Sequence, residues 1–359
     1  MKKRISILEI KNFLKKKGLV INKIKKIKKK ENKLGSLSRT FLSSLIIISI
    51  FSITPLITEL IKKNTIVSQN NDKELKILLE SQDPKLDIEL NQKFLFDDVL
   101  QLDEQPSDTV RLSAATIEEL FKSTDYNLKD VRKNKLVKPI SLTLLPGEIK
   151  QIENAKKRKD LFIQIILPLV IKENNYIKLD RNKLFSILNK NQNTGAENNW
   201  LNSKFKQYGV VNKDLSTLKI RMDEIPVSMA IAQAAKETGW GTSRFAQEGN
   251  ALFGQWTWTG DGIKPAGADD DSTHKVMKFR ILQASVKAYQ RNLNTHSTYK
   301  GFRSARAKLR DKGKKLDSMI LTEYLDKYAE TGKEYVKILQ QIIRQNNLED
   351  FDDAKLLPT

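Results

Sequence analysis

Residues 226–256 read PVSMAIAQAAKETGWGTSRFAQEGNALFGQW, and they set the architecture of the chain. Pro226 suits the first turn of a helix, because its missing N–H costs no hydrogen bond there. The apolar residues that follow cover almost the whole circumference, which predicts a helix buried inside the protein. They are Val227, Met229, Ala230, Ile231, Ala232, Ala234 and Ala235. Gly239 is the predicted C-cap, so the chain turns away at that point.

Glu237 is the acidic residue of this helix. It follows Ala234 by three residues and Ala230 by seven, so its side chain projects from the apolar face. Apolar walls and a nearby tryptophan disfavour the charged carboxylate and predict a raised pKa. A general acid that works near neutrality needs such a pKa. The alternative is a solvated residue of the last helical turn, and spacing alone favours it because charged residues mostly lie at the surface.

A glycine-framed loop, GNALFGQW at 249–256, follows the helix. Binding sites for small ligands combine aromatic walls with a few polar side chains. Aromatic faces stack on sugar rings, and amides bond to hydroxyl and acetamido groups, so the loop predicts one wall of a glycan cleft. The other interpretation is a small aromatic cluster of the core. The predicted substrate-binding residues here are Trp240, Asn250, Phe253, Gln255 and Trp256.

Composition excludes several kinds of site. The 359 residues include no cysteine, so disulfides and zinc-thiolate sites are ruled out. With His274 and His296 as the two histidines, we expect no metal and no cofactor. The net charge of +21 would suggest nucleic acid. However, fifteen Lys and Arg residues against Glu9 and Glu31 give residues 1–40 a net charge of +13, so we expect no nucleic-acid partner.

The basic block is followed by FLSSLIIISIFSITPLI at 41–57, which carries no charge. This length is close to the roughly 17–20 residues that cross a bilayer core. Lysines before the span predict a cytoplasmic N-terminus and a translocated bulk. We therefore expect an uncleaved single-pass inner-membrane anchor, with the catalytic domain periplasmic or otherwise extracytoplasmic. A cleaved signal peptide and a buried core helix are the alternatives.

The chain is divided into four predicted segments. They are a basic cytoplasmic segment (1–40), a transmembrane anchor or signal (41–60), a polar spacer (61–112) and a catalytic domain (113–359). Within the last segment, Thr116 and Glu119 have the spacing of a capping box at a helix start. A helical pattern from 148 to 173 is expected to kink or break at Pro168. Residues 191–199 are predicted to be a polar loop.

Several motifs together resemble a known family. ETGWGTS at 237–243 followed by GNALFG at 249–254 resembles the endo-β-N-acetylglucosaminidases, peptidoglycan hydrolases related to flagellar muramidases. NTHSTY at 294–299, YAET at 328–331 and YVKI at 335–338 are also similar to that family, and FIQIILPLV at 162–170 resembles its Bax-like branch alone. The resemblance covers about 113–355. It implies an α+β, mainly α, lysozyme-like domain with a small β-hairpin lobe beside the cleft.

The resemblance also implies an activity. The enzyme would be a glycoside hydrolase that cleaves the β-1,4 bond after N-acetylglucosamine in peptidoglycan glycan strands, with Glu237 as the general acid. Tyr328, in the YAET motif, is expected to contact substrate.

Glycoside hydrolysis commonly uses two carboxylates. The family carries the second one on the hairpin after the aromatic loop, where Asp270 and Asp271 are the candidates. A run of three aspartates is more often a solvated turn, and Lys275 stands where the Bax-like pattern can carry an acid. Attack by the substrate's own acetamido group is the other route, with Tyr299 as a positioning hydroxyl. Tyr299 could equally be a core residue.

Two rival functions remain. One is a lytic transglycosylase on the same scaffold, although Asn250-x-Leu-Phe-Gly254 replaces the Gly-Leu-Met-Gln signature of that group. The other is a catalytically inactive wall-binding protein. Residues 300–315 are rich in Lys and Arg. They form either a solvated helix face or a basic flank that holds the enzyme on an anionic wall.

Overall fold

The computed structural model describes residues 95–102, 109–257, 262–264 and 275–358. The predicted cytoplasmic segment and membrane anchor lie outside these ranges. Within them, no helix combines the length and the apolar character needed to cross a bilayer.

Helices make up most of the described chain. They are α1 (95–102), α2 (Ala114–Ser123), α3 (Leu128–Asn134), α4 (Ala155–Leu188), α5 (Gly195–Gln207), α6 (Leu215–Arg221), α7 (Val227–Thr238), α8 (Arg244–Gly249), α9 (Leu282–Thr295), α10 (Lys300–Asp311), α11 (Ser318–Thr322) and α12 (Lys333–Gln345). Short 3-10 helices span Gly147–Gln151, Ser297–Tyr299 and Leu348–Phe351. The strands are β1 (Leu136–Val137), β2 (Trp256–Thr257), β3 (Gly262–Ile263), β4 (Lys275–Met277) and β5 (Lys355–Leu356).

The alanine-rich helix α7 lies at the centre of the fold, as its pattern predicts. It packs against α4, α12 and the 3-10 helix Leu348–Phe351. Gly239 closes it in the left-handed conformation with φ +56°. At its other end, Asp352 accepts hydrogen bonds from the Ser228 backbone N–H and hydroxyl, both at 2.8 Å. Because a helix start leaves backbone N–H groups unpaired, this carboxyl group caps α7 from a distant part of the chain.

The long helix α4 passes through Pro168 without ending, so the predicted break is wrong, while the predicted kink stays a prediction. Proline lacks the N–H that would bond to the carbonyl of Gln164, one turn earlier. The hydroxyl of Tyr126 donates to that carbonyl at 3.0 Å, and the Gln164 amide donates back to the Tyr126 carbonyl at 2.8 Å. A tertiary contact thus replaces the missing helical bond.

Two predicted boundaries were also wrong. Helix α2 begins at Ala114 because the Ser113 hydroxyl accepts from the Thr116 N–H at 3.1 Å, so Ser113 rather than Thr116 is the cap. Helix α5 begins inside the predicted loop 191–199, where Thr194 and Glu197 form a reciprocal capping box.

The small strands form two sheets. β2, β4 and β3 form an antiparallel sheet in which Trp256 pairs with Val276 and Ile263 pairs with the same residue from the other side. This is the small β lobe that was expected after the aromatic loop. β1 and β5 pair in parallel, with Leu136 opposite Lys355. The described fold is therefore α+β and mainly helical.

Helix α1 lies in the segment that was predicted to be a spacer, yet it packs onto the domain. Val99 is buried with Phe279 and other apolar residues at the start of α9. Asp98 forms ion pairs with Arg291 and Lys287, both at 3.0 Å. Packed structure in the described ranges thus begins before residue 113.

The basic stretch 300–315 is partly internal. Arg303 and Arg306 of α10 are buried, and Arg306 donates to the backbone carbonyl of Asp223 at 3.0 Å. Arg310 reaches the buried Asp223 carboxylate at 2.9 Å. These three cations stabilise the packing of α10, so they are not available to an anionic wall.

Candidate active site

Glu237 occupies the last turn of α7, and its side chain is partly buried. Its Oε1 accepts a hydrogen bond from the hydroxyl of Tyr335, at the start of α12, at 2.8 Å. Burial raises the pKa of Glu237, while the Tyr335 hydrogen bond and the charge of Lys236 act in the opposite direction, and the net result is a raised pKa. The group therefore retains its proton to a higher pH than an ordinary glutamate.

The second carboxyl oxygen of Glu237 faces the aromatic loop. A methyl group built at Gly254 would lie 3.5 Å from Oε2. Gly254 also has φ +62°, a conformation that L side chains rarely adopt. Glycine at this position therefore permits the backbone conformation with which the loop passes next to the carboxyl group.

The Tyr335 hydroxyl belongs to a chain of buried hydrogen bonds. The Gln233 amide donates from Nε2 to the Tyr335 hydroxyl oxygen at 3.1 Å. The Tyr289 hydroxyl in turn donates to Gln233 Oε1 at 2.7 Å. Gln233, Tyr289 and Tyr335 are all essentially inaccessible to solvent. Glu237 thus stands at the end of an ordered network that crosses from α9 through α7 to α12.

Tyrosines form one wall beside Glu237. Tyr328 stacks on Tyr335, with ring centroids 5.5 Å apart and ring planes 7° apart. The Tyr328 hydroxyl donates to the Phe253 carbonyl at 2.8 Å, which ties the wall to the aromatic loop. The ring centroid of Tyr299 lies 6.0 Å from that of Tyr328. Burial raises the pKa of Tyr299 to about 12, an effect that a hydrogen bond with Asn292 reduces and the charge of Glu237 adds to. Tyr299 is therefore a neutral hydroxyl within electrostatic reach of Glu237.

The residues predicted to bind substrate have different surroundings. Trp256, on β2, is 47% exposed and offers an accessible ring. Phe253 is only 1% exposed and stacks on Tyr289 with centroids 3.8 Å apart. The Phe253 ring is therefore part of the core. It has no accessible surface with which to stack on a sugar, the role that the sequence had predicted. The Phe253 backbone, through its carbonyl, is the part that shapes the site.

Asn250 is also buried, and its amide donates to the carbonyls of Phe279 and Arg280 at 2.9 and 3.0 Å. With φ +48°, it fixes the start of the loop rather than presenting an amide to the cleft. Trp240 packs edge-on against Phe162 with centroids 5.9 Å apart. It therefore supports the end of α7 from the α4 side.

Gln255 is partly buried, and within the described ranges its Oε1 has no hydrogen-bond partner. A buried amide oxygen without a partner costs free energy, and in Gln255 this oxygen lies within the aromatic loop.

The second carboxylate is not among the described residues near Glu237. Asp270 and Asp271 lie outside the described ranges. No acidic side chain of the described part contributes to the raised pKa of Glu237. Those same ranges contain no group of His, Cys, Asp and Glu residues placed to hold a metal ion.

Sequence reasoning missed the three residues of the hydrogen-bonded network. Gln233 precedes Glu237 by one helical turn, which places both on one face of α7, and this spacing is a signal that could have found it. Tyr335 stood in a family-like motif without an assigned role. Tyr289 carries no local signal, because only the tertiary packing of α9 brings it to Gln233.

Comparisons with known proteins match the part of the chain that contains this site. Residues 213–348, which contain Glu237 and its network, match a family model for Glucosaminidase, described as mannosyl-glycoprotein endo-beta-N-acetylglucosaminidase. The chain is 32% identical over 205 residues to Protein bax of Escherichia coli (strain K12), a match that covers 55% of this chain and 73% of that relative. No solved structure matches the chain significantly. With the helix, the loop and the tyrosine wall all inside the matched region, the chain belongs to the Bax-like glucosaminidase family and carries a domain of the glycoside hydrolase type.

Proposed function

We propose that this protein is a peptidoglycan hydrolase, an endo-β-N-acetylglucosaminidase that uses Glu237 as its general acid. The supporting observation is the state of the Glu237 carboxyl group. Burial raises its pKa, Tyr335 occupies Oε1, and Oε2 faces the glycine of the aromatic loop. A carboxyl group that keeps its proton to a higher pH than an ordinary glutamate is suited to protonate the oxygen of the leaving sugar.

In this proposal, the glycan lies along the aromatic loop, with Trp256 as a stacking surface and Gln255 as a source of a hydrogen bond. Glu237 protonates the glycosidic oxygen that follows N-acetylglucosamine. The positive charge that develops on the sugar ring is stabilised either by a carboxylate of the hairpin, Asp270 or Asp271, or by the substrate's acetamido group. Tyr299 is a neutral hydroxyl that positions that group. A single-pass inner-membrane location with an extracytoplasmic catalytic domain remains part of the proposal.

The test is digestion of purified peptidoglycan sacculi by the full-length protein. We expect soluble fragments with new reducing N-acetylglucosamine ends, identified by mass spectrometry after borohydride reduction. Glu237→Gln should abolish their release. The matched control is Glu248→Gln, because that side chain is 59% exposed on the neighbouring helix α8.

Three outcomes distinguish the candidate functions. Reducing N-acetylglucosamine ends that disappear in Glu237→Gln support the proposal. Fragments with 1,6-anhydro ends would instead assign lytic transglycosylase activity. Wild-type protein that binds sacculi but releases nothing under any condition would assign a wall-binding role without catalysis.

A further inference from the structure

We infer that Gln233 is a positioning residue that fixes the direction of the Tyr335 hydroxyl and thereby confines the transferable proton of Glu237 to Oε2. This inference deepens the proposed function and rests on it. The inference identifies which of the two carboxyl oxygens of Glu237 carries the proton that is transferred.

The direction of each hydrogen bond follows from the chemistry of the side chains. A glutamine amide has one end that accepts and one end that donates. The Tyr289 hydroxyl donates to Gln233 Oε1, so the amide nitrogen faces Tyr335. The Tyr335 oxygen accepts from that nitrogen, and its own proton then points to Glu237 Oε1.

The reversed amide would leave the network unsatisfied. The Gln233 oxygen would then face Tyr335 and take its proton, which would deprive the Glu237 carboxylate of its donor. The Tyr289 hydroxyl would meet an N–H instead of an acceptor. Unpaired buried polar groups destabilise a folded protein. Since Gln233, Tyr289 and Tyr335 are inaccessible to solvent, water does not offset that cost.

The fixed direction has a consequence for protonated Glu237. A carboxylic acid can carry its proton on either oxygen. If the proton were on Oε1, it would meet the proton of Tyr335, whose oxygen is already occupied by the Gln233 amide. The proton therefore lies on Oε2, the oxygen next to Gly254. This is the side on which the aromatic loop, and the glycan in the proposed function, would lie.

Removing the amide opens a second, unproductive arrangement. In Gln233→Met the Tyr335 oxygen is free to accept, so protonated Glu237 can turn its proton toward Tyr335. Protonated Glu237 is stabilised because it gains this second arrangement. Ionised Glu237 is less stabilised, because the Tyr335 hydroxyl is a weaker donor once the Gln233 amide no longer reinforces its hydrogen bond. Both changes raise the pKa of Glu237. The alkaline limb of the activity profile should move up by about half a pH unit or more, which corresponds to about 0.7 kcal/mol.

The test compares the pH dependence of sacculus digestion by full-length wild-type and Gln233→Met protein. At pH values below the alkaline limb, we expect kcat to fall by about threefold, the factor that corresponds to half a pH unit, while KM stays within about twofold and the alkaline limb moves to higher pH. Gln290→Met is the matched control, a buried glutamine of α9 that donates to Asn174 rather than to Tyr335. It should leave the limb in place. If Gln233→Met melts below the assay temperature, Gln233→Asn, whose amide is one carbon too short to reach the hydroxyl, takes its place.

A purely structural role for Gln233 gives a different pattern. It would lower activity at every pH without moving the limb, and that result would overturn the inference. In a Tyr335→Phe background, Gln233→Met should move the limb no further, because Gln233 acts through that hydroxyl. An additional movement in the double variant would also contradict the inference.

Direct titration separates this inference from the proposed function. The Glu237 carboxyl group can be followed by ¹³C NMR in protein labelled with ¹³C-glutamate, with its signal assigned by Glu237→Gln. If the wild type digests no sacculi, the proposed function fails. A raised Glu237 pKa in Gln233→Met would still support the network, and an unchanged pKa would refute it.

Discussion

Asp352, which caps the start of α7 although it lies 124 residues after Ser228 in the sequence, makes the stability of the protein depend on pH. Burial raises the pKa of Asp352 from its ordinary value of 3.8 to about 6, and the charges of Glu349 and Asp353 add to this effect, while the bonds to Ser228 oppose it. The folded state therefore binds the proton more tightly than the unfolded chain. The stabilisation that Asp352 gives is complete at low pH, and it is lost as pH rises from about 4 to above 6.

The size of this effect follows from the two pKa values. A difference of about two pKa units corresponds to about 3 kcal/mol, of which about 2 kcal/mol falls between pH 4 and pH 7.5. Asp352→Asn has almost the same shape, but it cannot ionise. The substitution can also change stability by an amount that is the same at both pH values. Apart from that constant, the free energy of unfolding of the variant relative to wild type should increase by about 2 kcal/mol between pH 4 and pH 7.5.

The assay is urea unfolding of both proteins at these two pH values, followed by circular dichroism. Asp311→Asn is the control, since that side chain is exposed at the end of α10 and its substitution should change stability by less than about 0.5 kcal/mol. A difference between Asp352→Asn and wild type that is the same at pH 4 and pH 7.5 would refute the reasoning.

Three further predictions concern the scaffold and the cleft. Tyr126→Phe leaves the Gln164 carbonyl unpaired and should cost about 1–3 kcal/mol in urea unfolding, whereas Tyr176→Phe, at a residue that is 52% exposed, should cost almost nothing. Trp256→Ala should raise KM on sacculi by about twofold to tenfold, the value of one aromatic contact, and an unchanged KM would remove Trp256 from the binding surface. Gly254→Ala should cost about 1–2 kcal/mol because φ is +62°, and it should also reduce the initial rate of digestion; full stability with full activity would contradict the geometry of the loop.

Local patterns predicted the elements whose causes are local. The run of apolar residues in α7 and the glycine at its end needed no distant partner, so the position of Glu237 followed from spacing. The continuity of α4 could not be predicted in this way, because the carbonyl that Pro168 leaves without a helical partner is paired by Tyr126, a residue of another segment. The N-cap of α2 was predicted wrongly for a similar reason. Ser113 and Thr116 both suit a helix start, and only the three-dimensional structure shows that Ser113 is the cap.

The candidate site shows the same division. Glu237 and the accessible Trp256 could be found from residue type and motif. Phe253 and Asn250 could not be placed, because the same loop sequence suits either a cleft wall or a core, and burial against Tyr289 and α9 decides for the core. The network behind Glu237 joins three helices that are far apart in the chain, and no local pattern encodes that meeting.

The cap on α7 also sets an order of events during synthesis. Ser228 and Asp352 are 124 residues apart in the sequence. At translation rates of about 5–20 residues per second, the helix that carries Glu237 waits roughly 6–25 seconds for its cap to be made. The parallel pairing of β1 with β5 joins residues that are still farther apart, and such long-range contacts form late. A nascent chain therefore carries Glu237 before its partner Tyr335 and the cap on α7 have been made, so the candidate site can assemble only late in synthesis.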